Sequence, residues 1–427
     1  MEVFRKSLAA NVDFLSVRTD KFKTGVFSVS LVVPMRKETA TANALIGDVL
    51  YRGCRRHPDI EAISLATDEL YGASVGPSVR QRGESQCICF SASFIDDRYA
   101  LDGTAVLEPV LALVGELLLD PVTENGIFRE DYVRSEGANL ADQIRARVNE
   151  KRGWAIFRLT QEMCAGEPYA LDKLGDAAEA ERMTAAALWE RYQTLLKEAK
   201  VVFYYGGAAS PDRVEEAIRS SFTPLITDRS MELSCIVKGK PNGEVREVTE
   251  RMDVTQGKMA LGFRTGGITA GHPDYPALLV CNALYGATPN SRLFMNVREK
   301  LSLCYYASSM LDKLKGLMVV ASGVEFEKFG VAKDEILAQL EAIRRGDFSE
   351  EELLGARRAV TAGLQTCLDS QGRLEDHWVT QALTGDEDQG PDALIGPVER
   401  VASADVSRVA GQITLDTIYY LTGKEGC

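Results

Sequence analysis

A strand-like run followed by a glycine-ended helix occurs twice in this chain. That repetition limits the fold more than any other feature. In the first half "GVFSVSLVVPM" (Gly25–Met35) precedes "NALIGDVLYRG" (Asn43–Gly53). In the second, "KMALGFRTG" (Lys258–Gly266) precedes "DYPALLVCNALYGA" (Asp274–Ala287). The ends of the halves also answer each other, "VVFYYGG" (Val201–Gly207) and "DTIYYLTG" (Asp416–Gly423). Likeness that keeps its order along the chain is the mark of a duplicated unit; chance similarity between two amphipathic helices is the plainer alternative. Duplication predicts an α+β protein of two homologous α/β lobes, each a mostly antiparallel sheet with packed helices. The lobes are expected at 1–222 and 245–427. Periodicity fades between them and turn residues gather in "KGKPNGE", so 223–244 is read as a linker.

Within the first lobe, period-two runs predict strands at Gly25–Met35, Ala73–Arg80, Gln86–Phe94 and Val201–Tyr205. Helices are predicted at Ala40–Arg52, Ile60–Leu70, Gly103–Leu119, Glu130–Leu159, Ala185–Glu198 and Pro211–Ser221. In the second lobe "SRLFMNVREK" reads as a helix and "LCYYASSM" as a strand.

Composition removes several function classes. A formal charge of −13 gives none of the basic footprint of a nucleic-acid binder, and "RGCRR" (Arg52–Arg56) reads as a solvated helix end. No apolar run approaches the ~18 residues of a membrane span. The first residues lack the apolar core of a signal peptide. Nine scattered cysteines read as reduced thiols in a cytosol. A cytoplasmic protein without nucleic-acid or membrane partners is expected.

Three motifs look chemical and have duller readings. "GASVG" (Gly72–Gly76) fits a nucleophile elbow, but a helix precedes Ser74 and a strand follows, the reverse of what that motif needs. Cys54 and His57 form C-x-x-H and Cys87 and Cys89 form C-x-C, an imitation of a zinc site that reads better as packed cysteines. "TGGITAG" (Thr265–Gly271) lacks the lysine and serine of a phosphate loop and reads as a turn.

The ordered runs "ALIGDVLYRG", "AISLATDELYGASVG" and "HPDYPALLVCNALYGATPNSRLFMNVREKLSLCYYASS" together resemble the pitrilysin/insulinase zinc metallopeptidases. The most specific part is S-R-L-F-x-x-V-R-E-K-x-x-L-x-Y, Ser291 to Tyr305. The likeness covers nearly the whole chain. It is nearest to a non-catalytic, YfmF-like branch often named for an association with elongation factor P aminopentanol modification. The resemblance implies a clamshell half, two of which close around a peptide. Active members carry H-x-x-E-H on the opening helix. Two histidines at i and i+4 share a face and clamp zinc, and the glutamate activates water. Here Ala44, Gly47 and Asp48 stand at those positions, and a distal ligand is expected near Asp142–Gln143. The only histidines are His57, His272 and His377, so no H-x-x-E-H exists and the chain is expected to bind no stoichiometric zinc. One carboxylate, Asp48, does not make a zinc site.

In active relatives the second lobe supplies an arginine and, seven residues later, a tyrosine that hold the substrate carbonyl and the oxyanion. The resemblance carries those roles to Arg298 and Tyr305. The duller reading pairs Arg298 with a surface glutamate and Tyr305 with its neighbour Tyr306. Retention of the carbonyl-holding pair without the metal triad implies a non-catalytic subunit of a heteromeric zinc peptidase. It has no cofactor of its own, and zinc sits in a related partner chain bearing H-x-x-E-H. A non-hydrolytic peptide-binding or scaffolding protein, linked to elongation factor P modification, is the alternative from a different class.

Overall fold

The computed structural model describes residues 1–101, 103–239, 243–385 and 389–424. The chain forms two compact units. One comprises Met1–Arg145, Leu171–Cys235 and Ser370–Asp388; the other comprises Ala146–Ala170, Ile236–Asp369 and Gln389–Cys427.

The first unit carries a six-stranded sheet built from β1 (Glu2–Ala9), β2 (Val12–Arg18), β3 (Thr24–Pro34), β4 (Ser74–Arg82), β5 (Ser85–Ile95) and β8 (Lys200–Gly207). A two-stranded ribbon, β6 (Thr123–Glu124) and β7 (Ile127–Phe128), stands apart from it. The second unit carries β9 (Arg246–Met252), β10 (Gly257–Arg264), β11 (Cys304–Asp312), β12 (Leu317–Val324) and β13 (Thr414–Gly423).

The two sheets have one topology. The first runs β1-β2-β8-β3-β5-β4 and the second, read from its other edge, β9-β13-β10-β12-β11. β2 pairs β8 in parallel as β9 pairs β13, and the other shared pairs are antiparallel in both sheets. β1 is the one extra strand. Matching of pair, order and direction across five strands is far more specific than matching letters, and it supports duplication.

Strands of the first sheet fall within 1–222 and strands of the second within 245–427, but the helices do not keep that division. Glu130–Leu159, read as one helix, breaks into Glu130–Ala146 and Lys151–Met163 around a tight turn at Arg147–Asn149. Glu150 caps the restart, its carboxylate accepting the amides of Arg152 and Gly153. The Lys151–Met163 helix belongs to the second unit. It lies so close on β10 that a Cβ at Gly262 would stand 2.6 Å from Met163 Sδ. Conversely, the Gln371–Thr384 helix belongs to the first unit, where buried Glu375 accepts Ser28 Oγ at 3.0 Å and an Arg80 nitrogen at 2.6 Å. Arg82 there donates to Asp376 and Thr380, both at 2.7 Å.

Residues 223–235 are not a free tether. Buried Arg229 donates to the carbonyls of Leu196, Ala199 and Leu225. Buried Cys235 lies 3.4 Å from Ser85 Oγ. Lys240–Asn242 of "KGKPNGE" lie outside the described residues. No helix among the described residues is long and apolar enough to cross a membrane.

Candidate functional site

The helix Lys37–Leu50 runs from the end of β3 across the first unit, with Ala40 to Gly47 and Val49–Leu50 buried. Its interior is pinned by polar contacts. Buried Asn43 donates to Gln86 Oε1 at 2.8 Å and accepts Arg191 Nε at 2.7 Å. Ala44 is fully packed. A Cβ built on Gly47 would stand 2.9 Å from Pro77 Cβ on β4, closer than side-chain carbons approach. Proline is tolerated there because β4 is the sheet's edge strand.

Asp48 is partly buried. Burial, and secondarily the charge of Glu136, push its carboxyl up to about 6. Glu136, on the Glu130–Ala146 helix, is the acid facing this position. Asp142, where the distal ligand was expected, is displaced: its side chain is 83% exposed, with Arg145 at 3.8 Å. Glu136 precedes Asp142 by nearly two turns of the same helix. Glu136 is already occupied. Its Oε1 accepts Arg52 at 2.9 Å and its Oε2 accepts Asn139 at 2.9 Å. The Arg52 guanidinium also lies 4.7 Å from the Tyr132 ring centre. Arg52 therefore holds Glu136 with fixed cationic charge.

The family's catalytic zinc does not fit these residues. Ala44 and Gly47 offer no ligand atom, Pro77 covers the glycine, Asp48 is disfavoured as an anion, and Glu136 is engaged. In the "RGCRR" stretch Arg55 and Arg56 are exposed and pair at the surface with Asp120 and Glu116, while Arg52 is partly buried on Glu136.

In the second unit, Asp274–Ala287 forms as an α-helix, Tyr275–Asn282, that widens into a π-helical turn at Ala283–Ala287. Leu293–Lys300 is π-helical throughout. Such widened turns are often found at functional sites. Arg298 lies in the last turn with its side chain 41% exposed; its guanidinium rests 4.6 Å from the Phe294 ring centre and 3.6 Å from Glu299. The chain reverses through Ser302, at φ 49°, into β11. Partners across β11–β12 step from Cys304↔Val324 to Tyr306↔Gly323, which leaves Tyr305 as the unpaired residue of a β-bulge. Bulges re-aim side chains. Tyr305 is 64% exposed, whereas Tyr306 packs against Gly323 and under Arg152, 4.5 Å from its ring centre. Arg298 and Tyr305 lie on consecutive elements of one unit, and no hydrogen bond joins them among the described contacts. The widened helix and the bulge, like Arg52, Pro77 and Glu136, left no recognisable signal in the sequence.

A two-sheet duplicated fold with a helix that has lost its metal ligands defines an inactive metallopeptidase homologue. A family profile described as "Peptidase M16 inactive domain" matches residues 182–360. The chain is 35% identical over 410 residues to "Probable inactive metalloprotease YmfF" of Bacillus subtilis (strain 168), covering 96% of this chain and 95% of that protein. It belongs to the pitrilysin/insulinase, or M16, metallopeptidase family, in its inactive branch. Among solved structures, a conserved protein from Enterococcus faecalis V583 superposes with a TM-score of 0.91 at 26% identity, covering 100% of both chains. A peptidase M16 inactive domain from Pseudomonas fluorescens gives 0.80 at 17% identity over 99% of both, a likeness of fold.

Proposed function

We propose that this chain is the non-catalytic subunit of a heteromeric zinc peptidase. Zinc and its water belong to a related partner chain bearing H-x-x-E-H. This chain lends half of a peptide chamber, with Arg298 and Tyr305 as donors to the substrate carbonyl. The observation carrying the reading is a contrast between the two units. The metal-site positions of the first are filled by its own side chains, Pro77 over Gly47 and Arg52 on Glu136. The donors of the second remain exposed on a widened helix and a bulge. A guanidinium and a phenol supply donors without being able to hydrolyse anything unaided.

Isolation of the tagged chain from its native cell tests this. A co-isolated family member carrying H-x-x-E-H, in stoichiometric amount, is the expected result. Isolation alone, or with translation factors and no such relative, would favour the scaffolding alternative.

A further inference from the structure

Metal-ligating side chains of the first unit gather at the turn after the degenerate helix. Cys54 Sγ, His57 Nδ1 and a Glu116 carboxylate oxygen lie within 4.8 Å of one another. Sγ to Nδ1 is 3.5 Å, Nδ1 to Oε2 is 3.3 Å, and Sγ to Oε2 is 3.9 Å. A tetrahedral zinc with bonds of about 2.3 Å to sulfur and about 2.0–2.1 Å to nitrogen or oxygen sets ligand atoms about 3.3–3.6 Å apart. Two of the three edges already fit, and the third closes with a small rotation of Glu116. From the spacing C-x-x-H alone these residues imitated a site; Glu116, 62 residues beyond Cys54, was not in view. Cys87 and Cys89 take no part in the cluster.

The geometry points to a zinc site at Cys54, His57 and Glu116, with a water in the fourth position, clipping the Gly53–His57 turn to the end of the Leu107–Leu119 helix. The surroundings are built for it. The His57 amide donates to Cys54 Sγ at 3.3 Å, and the Cys54 amide donates to the His57 carbonyl at 2.7 Å, so the turn presents sulfur and imidazole together. Gly53, at φ 154°, makes the turn possible, since a Cβ there would lie 2.5 Å from the Pro58 carbonyl oxygen. Arg56 holds Glu116 Oε1 at 3.3 Å and leaves Oε2 toward the cluster. Arg55 is drawn away to Asp120 at 2.8 Å. Burial raises the Cys54 thiol while the His57 and Arg56 amides oppose the rise, so the thiol holds its proton until a metal displaces it. Thiolate, carboxylate and a dication then sum to zero charge in a half-buried place. The ion would tie the Gly53–His57 turn to the Leu107–Leu119 helix, and the site is independent of any peptidase partnership.

The test uses the full chain, stripped with a chelator and titrated with Zn²⁺ or Co²⁺. About one ion per chain is expected, with a thiolate-to-cobalt charge-transfer band and a rise in Tm on zinc addition. Cys54→Ser should abolish the band, and Glu116→Gln should weaken affinity by roughly tenfold or more while leaving the circular dichroism spectrum unchanged. Asp48→Asn should leave binding intact. Failure of the wild-type chain to take up zinc at micromolar concentration would overturn the site. So would binding that survives both Cys54→Ser and Glu116→Gln, or that is lost with Asp48→Asn.

Discussion

Arg52 and Glu136 form an ion pair of 2.9 Å across 84 residues of chain, with Glu136 the acid whose charge acts on Asp48. A fixed cation thus engages the Glu136 carboxylate. With Pro77 seated over Gly47, the helix has become an ordinary packed element.

Restoring the motif should therefore fail. Ala44→His, Gly47→Glu and Asp48→His, combined in a Cys54→Ser background that removes the thiolate ligand of the turn, should bind zinc no better than the background alone. Adding Arg52→Ala and Pro77→Gly should raise the affinity. Chelator competition measures both, and micromolar or tighter binding by the triple graft alone would show that Pro77 and Arg52 do not block the site.

Gly47 can be tested alone. An alanine there gains about 1 kcal/mol of helix propensity but meets Pro77, an overpacking cost of typically 1–3 kcal/mol. Gly47→Ala should be neutral to destabilising. The same change with Pro77→Gly, which removes the opposing Cβ, should recover that overpacking cost. Gly47→Glu, which buries an unpaired carboxylate, should cost several kcal/mol. Denaturant unfolding reads all three.

Asp48 sets a pH signature. Its carboxyl is raised to about 6 from an ordinary 3.8. The stability it contributes is complete below about pH 4 and is lost as pH rises through 6, because folding then disfavours the anion. Asp48→Asn should match the wild type near pH 4 and exceed it at pH 8, by on the order of 1–3 kcal/mol. A difference that does not change between pH 4 and 8 would show that Asp48 titrates normally.

Much of the fold was legible because strand periodicity survives burial. Gly25–Met35 and Gln86–Phe94 fall within one residue of β3 and β5 at each end. β1 and β2 were missed; β1 has a mixed, half-exposed face without clean alternation. The break at Arg147–Asn149 has neither proline nor glycine inside it, so the run read as one helix. Exchange of the Lys151–Met163 and Gln371–Thr384 helices is decided by which sheet each covers, which no local pattern states. At the site, the loss of ligands at Ala44, Gly47 and Asp48 was written in the letters. What fills the space was not, because Pro77, Arg52 with Glu136, and Glu116 come together only through tertiary folding.

The exchanged helix offers its own test. Glu375→Ala removes the buried acceptor of Arg80 and Ser28 and should cost about 3–5 kcal/mol, as breaking a buried ion pair does. Hydrogen exchange should show Gln371–Thr384 losing protection first. An unchanged Tm would mean that the Arg82 contacts and the helix's apolar face hold it without Glu375.

The divided site is tested most directly by kcat in the reconstituted pair. With the H-x-x-E-H partner assembled and cleaving a peptide, Tyr305→Phe removes one exposed hydroxyl, so the pair should stay intact. Its kcat should fall by roughly 10²–10³, the usual loss for one oxyanion donor. Arg298→Ala should lower kcat and raise KM, as the proposed anchoring of peptide by this guanidinium requires. Tyr306→Phe is the control, because that ring packs beneath Arg152. Loss with Tyr305→Phe but not with Tyr306→Phe is the expected result. Equal, undiminished kcat for both in an intact and active complex would contradict it, and would leave this chain as a scaffold that lends no catalytic group.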